Sequence, residues 1–198
     1  MSLPKWTRLG GLALMLGALI FSLTKARGYV DRDDSLLVYF MVVGFAAWLV
    51  GLAALYVRYA PVSGKLGKTG LGLSFVGVAL VAVGHLFSEF VWRATGVDLF
   101  LLVILGVLAK IVGPFLFGIA TLRREILPGY WRFLPLITAL IGLTWITATG
   151  SDDGSLTFGF MLFRTLFALG WLLMGYVLFS DRRETAQDEV LVLQEVES

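Results

Sequence analysis

Six apolar stretches, each long enough to cross a bilayer as a helix, take up most of the 198 residues, and no other feature constrains the fold as tightly. They run over residues 6–24, 36–60, 69–93, 98–122, 131–149 and 157–180, where crossing the hydrocarbon takes ~20 residues. Their apolar residues are continuous instead of alternating, which excludes a β-barrel. A segment with no water around it satisfies its backbone polar groups internally only as a helix. The sequence therefore predicts an all-α polytopic membrane protein: one domain over residues 1–180, a bundle of six transmembrane helices. Residues 181–198 read as a short acidic cytoplasmic tail. Composition agrees, because 58% hydrophobic residues, 15% charged residues and a mean hydropathy of +0.87 exceed what a water-soluble domain carries.

Residues 1–24 place Lys5 and Arg8 ahead of an apolar run, as a signal peptide would. They end Leu23-Thr24-Lys25-Ala26 without an A-x-A pattern, so they read as a retained first helix. With the amino terminus cytoplasmic, the inner segments carry Lys5, Arg8, Arg58, Lys65, Lys68, Arg123, Arg124, Arg132, Arg182 and Arg183. The outer ones carry Lys25, Arg27, Arg32 and Arg93. Ten against four satisfies the positive-inside rule and puts both termini in the cytoplasm. Trp6, Tyr56, Tyr59, Tyr130, Trp131 and Tyr176 then fall at the inner boundary, and Tyr29, Tyr39, Trp92 and Trp145 at the outer one. Trp48 and Trp171 lie mid-span, as packing bulk or as the wall of a ligand cavity. The positive charge is a topology signal, with no clustered basic face for nucleic acid.

Glycine recurs every seven residues at Gly10 and Gly17, Gly44 and Gly51, Gly70, Gly77 and Gly84, and Gly106 and Gly113. Seven residues are close to two helical turns, so each set lines one face and predicts close packing of the first four helices. The sets repeat at an offset of 60 to 62 residues, as if the hairpin of spans one and two were echoed by three and four; spans five and six do not continue it.

Several familiar patterns fail on their spacing. Gly67-Lys68-Thr69 lacks the first glycine of a phosphate-binding loop, since residue 62 is Val62, and reads as a helix entry. Asp31, Asp33 and Asp34 lack the glycine and distal glutamate of a calcium loop and, with Ser35, read as a helix cap; Asp152-Asp153-Gly154-Ser155 reads likewise. Ser74 and His85 have no acidic third partner set by any motif. Cysteine is absent. With His85 the only histidine, the chain alone supplies neither a zinc site nor a bis-histidine haem. A single axial contact from His85 to a haem or chlorophyll-type pigment is the cofactor alternative; no cofactor is expected.

The residues that carry chemistry are charges inside the spans. His85 and Glu89 share a helical face, with Arg93 one turn on. Lys110 lies in the middle of the fourth span, where insertion costs about 2.5 to 3.5 kcal/mol unless protein or water receives the charge. Its face also carries Gly106, Gly113, Pro114 and Phe117, and Pro114 has no N–H for the carbonyl of residue 110. Arg164 lies two turns below the outer end of the sixth span. The depths predict one polar cluster in the outer half of the bundle, His85, Glu89, Lys110 and Arg164 joined by Thr144 and Thr147, with Glu89 compensating Lys110 or Arg164. It serves either as an ion-pair network that fixes helix register or as a site for a small or lipid-like ligand, anionic because Lys110 and Arg164 outnumber Glu89.

The basic-Leu-Gly entries Arg8-Leu9-Gly10 and Lys65-Leu66-Gly67, the stretch Gly84-His85-Leu86-Phe87-Ser88-Glu89-Phe90, and Phe117-Gly118-Ile119-Ala120-Thr121-Leu122-Arg123 followed by Leu127-Pro128 resemble the small, uncharacterised six-span proteins of actinobacteria and Chloroflexota. The resemblance covers most of the chain, implies a bacterial inner-membrane location, and brings no activity or catalytic residues. The expected function is non-enzymatic: a membrane-embedded binding or accessory protein, as a subunit of a larger complex or a homo-oligomer among membrane lipids. The alternative is a small transporter for an anionic or lipid-like solute.

Overall fold

In the computed structural model the described residues are 3–27, 35–87, 100–147 and 158–180, and no strand occurs among them. The helices are α1 (Leu3–Arg27), a 53-residue run Ser35–Phe87, α4 (Phe100–Arg124), α5 (Leu134–Thr147) and α6 (Phe158–Ser180), with a 3-10 turn at Gly129–Phe133 before α5. In the long run Phe45 and His85 would sit about 60 Å apart on one straight helix, yet their ring centroids are 6.0 Å apart. The run folds back at Gly64, where φ is 65° and ψ is −173°. A side chain there would be strained because positive φ disfavours it, whereas the Arg124 guanidinium, 2.8 Å from where its Cβ would stand, ends a flexible exposed side chain and can move aside. Pro61 just before the break has no N–H to give. Residues 35–63 are α2 and residues 65–87 are α3.

The expected spans two and three are therefore not separated by a loop at 61–68; helix continues through it, broken at Gly64 alone. Gly67-Lys68-Thr69 lies within α3. Five helices, counting 39–87 as one, are long and apolar enough to cross a membrane. Much of their exterior is large and apolar, including Leu9, Leu12, Leu16, Leu19 and Leu23 along one exposed face of α1.

Neighbouring helices close into a ring, α1 against α2, α3 against α4, α4 against α5, α5 against α6, and α6 back against α1. The start of α1 and the end of α6 lie at the same end of the bundle, since a Cβ on Gly11 would stand 2.7 Å from the Gly175 carbonyl oxygen. The glycine seams are where backbones meet. A Cβ on Gly17 would lie 2.6 Å from the Trp48 amide nitrogen, and one on Gly77 would lie 2.5 Å from that of Lys110. Small residues permit this approach, which gives dispersion contact in a solvent where hydrophobic association between helices is weak. Ser74 belongs to the same seam: it is buried, its hydroxyl donates to the Gly70 carbonyl (2.9 Å), and a Cβ on Gly113 would collide with it.

Glu89, Arg93, Tyr29, Trp92, the Asp31–Asp34 cluster, Asp152-Asp153-Gly154-Ser155 and residues 181–198 lie outside the described residues.

Candidate functional site

The middle of the ring is filled by one lysine and the aromatic rings around it. Lys110 is 1% exposed. Its Nζ lies 4.4 Å from the Phe21 ring centroid, 5.0 Å from that of Trp48, 5.2 Å from that of Phe167 and 5.5 Å from that of Trp145. These rings come from α1, α2, α6 and α5, so four helices converge on a charge that α4 carries. Trp171 completes the wall, edge-on to Trp48 at 5.6 Å and to Phe167 at 6.3 Å. Ring faces carry a negative quadrupole, and a desolvated cation over such a face gains about 2 kcal/mol or more. The cage thus offsets part of the dehydration that makes a mid-span lysine costly.

Arg164 is buried on α6 and reaches the same ring. Its Cζ lies 4.8 Å from the Phe21 centroid, and Nη2 donates to the Phe21 carbonyl at 2.5 Å. The ring-to-carbonyl span of one residue therefore joins two cations from different helices. The indole N–H groups of Trp48 and Trp171 are buried with no acceptor among the described residues, where a buried donor ordinarily finds a partner. Lys110, Arg164 and the two indoles thus all present donors at the centre.

The position of Lys110 follows from the hairpin echo. Gly17 meets the Gly44 carbonyl and the Trp48 amide; sixty positions on, Gly77 meets the Gly106 carbonyl and the Lys110 amide. Gly51 meets Leu14, and Gly113 meets Ser74, at the same offsets. Trp48 and Lys110 are thus equivalent positions of two like-packed hairpins, and the equivalents face each other across 5.0 Å. The site stands where the hairpins meet, and α5 and α6 close it with Trp145, Arg164 and Phe167.

The remaining expected residues divide. His85 is half-buried; its Nδ1 lies 2.9 Å from the Val81 carbonyl of its own helix, and its ring packs on Phe45, which packs on Phe21 at 6.4 Å. It borders the cage through Phe45. Thr144 does not face inward as expected: it lies on an exposed face of α5 and donates to the Ile141 carbonyl at 2.8 Å, because its position falls on the outer side of a helix whose inner side carries Gly142 and Trp145. Thr147 ends α5, and its side chain is outside the described residues, as is Glu89. Trp145, expected at the outer boundary, is half-buried in the cage, and Tyr59, expected at the inner one, is buried against Phe117 at 6.2 Å.

Phe21 and Phe167 carried no sequence signal, since phenylalanine in an apolar span is ordinary. Trp48 and Trp171 did carry one, their mid-span depth. Among the described residues no three His, Cys, Asp or Glu side chains are grouped to hold a metal. Comparison of the chain with protein-family models, with curated proteins and with solved structures gives no match.

Proposed function

We propose that this chain is a non-enzymatic membrane-embedded binding protein, working as an accessory subunit of a larger assembly, and that the caged cationic centre takes a small or lipid-like anionic ligand. The observation that carries this reading is the convergence of Lys110 and Arg164 on Phe21. Their charged groups are no more than about 9 Å apart, a repulsion of about 2 kcal/mol at an effective dielectric near 20. Two cations against the single carboxylate, Glu89, expected at that depth give the centre a net positive sign, which suits an anion. The buried indole donors of Trp48 and Trp171 supply further contacts of the sign an anion needs. Binding is favoured over transport because the Lys110 side chain is shut from solvent and packed on four sides.

Three tryptophans in the site make it its own reporter. In nanodiscs and halide-free buffer, bromide or an ω-brominated fatty acid should quench tryptophan emission saturably in the native chain. Lys110→Met and Arg164→Gln should each weaken that binding at least about tenfold, the equivalent of about 1.4 kcal/mol, while Lys68→Met should leave it unchanged. Linear, collisional quenching that is equal in all four proteins would sink the reading. Ligand-driven flux across liposomes loaded with the same anions would turn it toward the transporter.

The proposal includes six crossings in a bacterial inner membrane with both termini cytoplasmic, supported by the fold-back at Gly64 and the bias of Lys and Arg. Single cysteines at Ser151 and Ser198 check it, in a chain that has none of its own. An impermeant maleimide added outside should label Ser151→Cys and spare Ser198→Cys. The reverse pattern would overturn the orientation.

A further inference from the structure

Far from the cage, the end of the bundle where α4 stops and α5 begins carries an apolar crevice of about 590 Å³, lined by Pro128, Gly129, Tyr130, Trp131, Leu134 and Ile137. It is held in shape. The Thr121 hydroxyl donates to the Arg132 carbonyl at 2.8 Å, and Arg132 Nη1 donates to Glu125 Oε1 at 3.1 Å, which ties the turn to the last residues of α4. Tyr130 is 93% exposed. Lys65, Lys68, Arg123, Arg124 and Arg132 all belong to this end of the bundle, against the one carboxylate Glu125 among the described residues there.

The last turn of α6 borders the same place. Tyr176 packs on Trp131 at 6.2 Å, and α6 ends at Ser180, four residues on. The point from which residues 181–198 continue, Ser180, therefore lies beside the crevice. They carry six acidic residues and, flanked by Asp188, Glu189 and Glu195, the apolar run Val190-Leu191-Val192-Leu193. Ten residues from Ser180 to Val190 reach up to ~33 Å, ample for a site bordered by the same helix. An apolar floor at a basic end of the bundle is complementary to an apolar run with acidic flanks. Tethering raises the effective concentration of that run to the millimolar range. An anionic leaflet surface matches the basic bundle end but repels the acidic segment, so occupation by lipid and by the segment are exclusive alternatives.

We propose that residues 190–193 seat in this crevice, held by the charged residues on either side of them. The inference is independent of the anion site.

A chain without cysteines permits a direct test. With one copy per nanodisc, Ile137→Cys paired with Leu191→Cys should oxidise to a within-chain disulfide at least about tenfold faster than Val62→Cys paired with Leu191→Cys. Ile137 and Val62 are both exposed at this end of the bundle, so neither change disturbs the fold. Asp188→Asn, Glu189→Gln and Glu195→Gln together should bring the first rate down to the second. Equal rates for the two pairs overturn the proposal. So does cross-linking that appears only between copies in proteoliposomes, which assigns the crevice to a second chain. Maleimide protection of Ile137→Cys that persists when residues 185–198 are deleted overturns it in favour of lipid.

Discussion

Phe21→Leu is expected to lower the unfolding free energy by about 2 to 4 kcal/mol, well above the cost below about 1.5 kcal/mol of a comparable swap in an ordinary apolar core. Leucine nearly keeps the volume and loses the quadrupole, and two buried cations share that ring, Lys110 at 4.4 Å and Arg164 at 4.8 Å. Each such contact is worth about 2 kcal/mol when desolvated. The Arg164 hydrogen bond goes to the Phe21 backbone carbonyl and survives the change, which separates ring from backbone. In a Lys110→Met background one of the two contacts is already gone, so the Phe21→Leu penalty should fall by about 1 to 2 kcal/mol. Unfolding in mixed detergent micelles, followed by far-ultraviolet circular dichroism, reads both values. The same penalty in both backgrounds would mean that the lysine draws no energy from the ring.

Gly77→Ala should cost about 1 to 3 kcal/mol as an overpacked contact and should also weaken anion binding, although residue 77 touches no ligand. An added Cβ would stand 2.5 Å from the Lys110 amide nitrogen, 2.8 Å from the Gly106 carbonyl oxygen and 2.9 Å from the Ala109 carbonyl carbon. All three are backbone atoms, which cannot rotate away, so α3 and α4 must part and carry Lys110 out of register with the rings. Gly72→Ala is the matched control. Its nearest neighbour is the Tyr56 ring at 4.0 Å, and removing backbone freedom there should stabilise by about 0.5 to 1 kcal/mol. Thermal unfolding together with the bromide titration distinguishes the two variants. Equal stability with unchanged binding would show that this seam does not set the position of Lys110.

Both predictions join features that the sequence displays to features it hides. The glycine spacing is visible because close packing of two helices repeats with the helical period, and Gly17, Gly44, Gly77 and Gly106 mark a backbone contact wherever they fall. The burial of Lys110 is visible because a charge in mid-span has nowhere to go but inward. The rings that receive it are less visible. Fifteen phenylalanines are spread through the chain, and nothing local separates Phe21 and Phe167, which face the lysine, from Phe115 and Phe158, which are exposed. Thr144 and Trp145 are adjacent in sequence, yet one is exposed and the other lies in the cage, a difference of helical rotation that depends on how α5 is turned against α4 and α6.

The sequence by itself determined the solvent, the helical class, the seams of small residues and the identity of the buried cations, since each follows from transfer free energies and helical period that act residue by residue. The tertiary structure alone decided that the 53-residue run folds back at Gly64, that equivalent positions of two hairpins face each other as Trp48 and Lys110, and that rings from four helices close around one ammonium. Those outcomes depend on the rotation and register of whole helices against one another, and in an apolar solvent many registers bury nearly the same surface; the choice among them falls to a few close backbone contacts and one charge that must be enclosed.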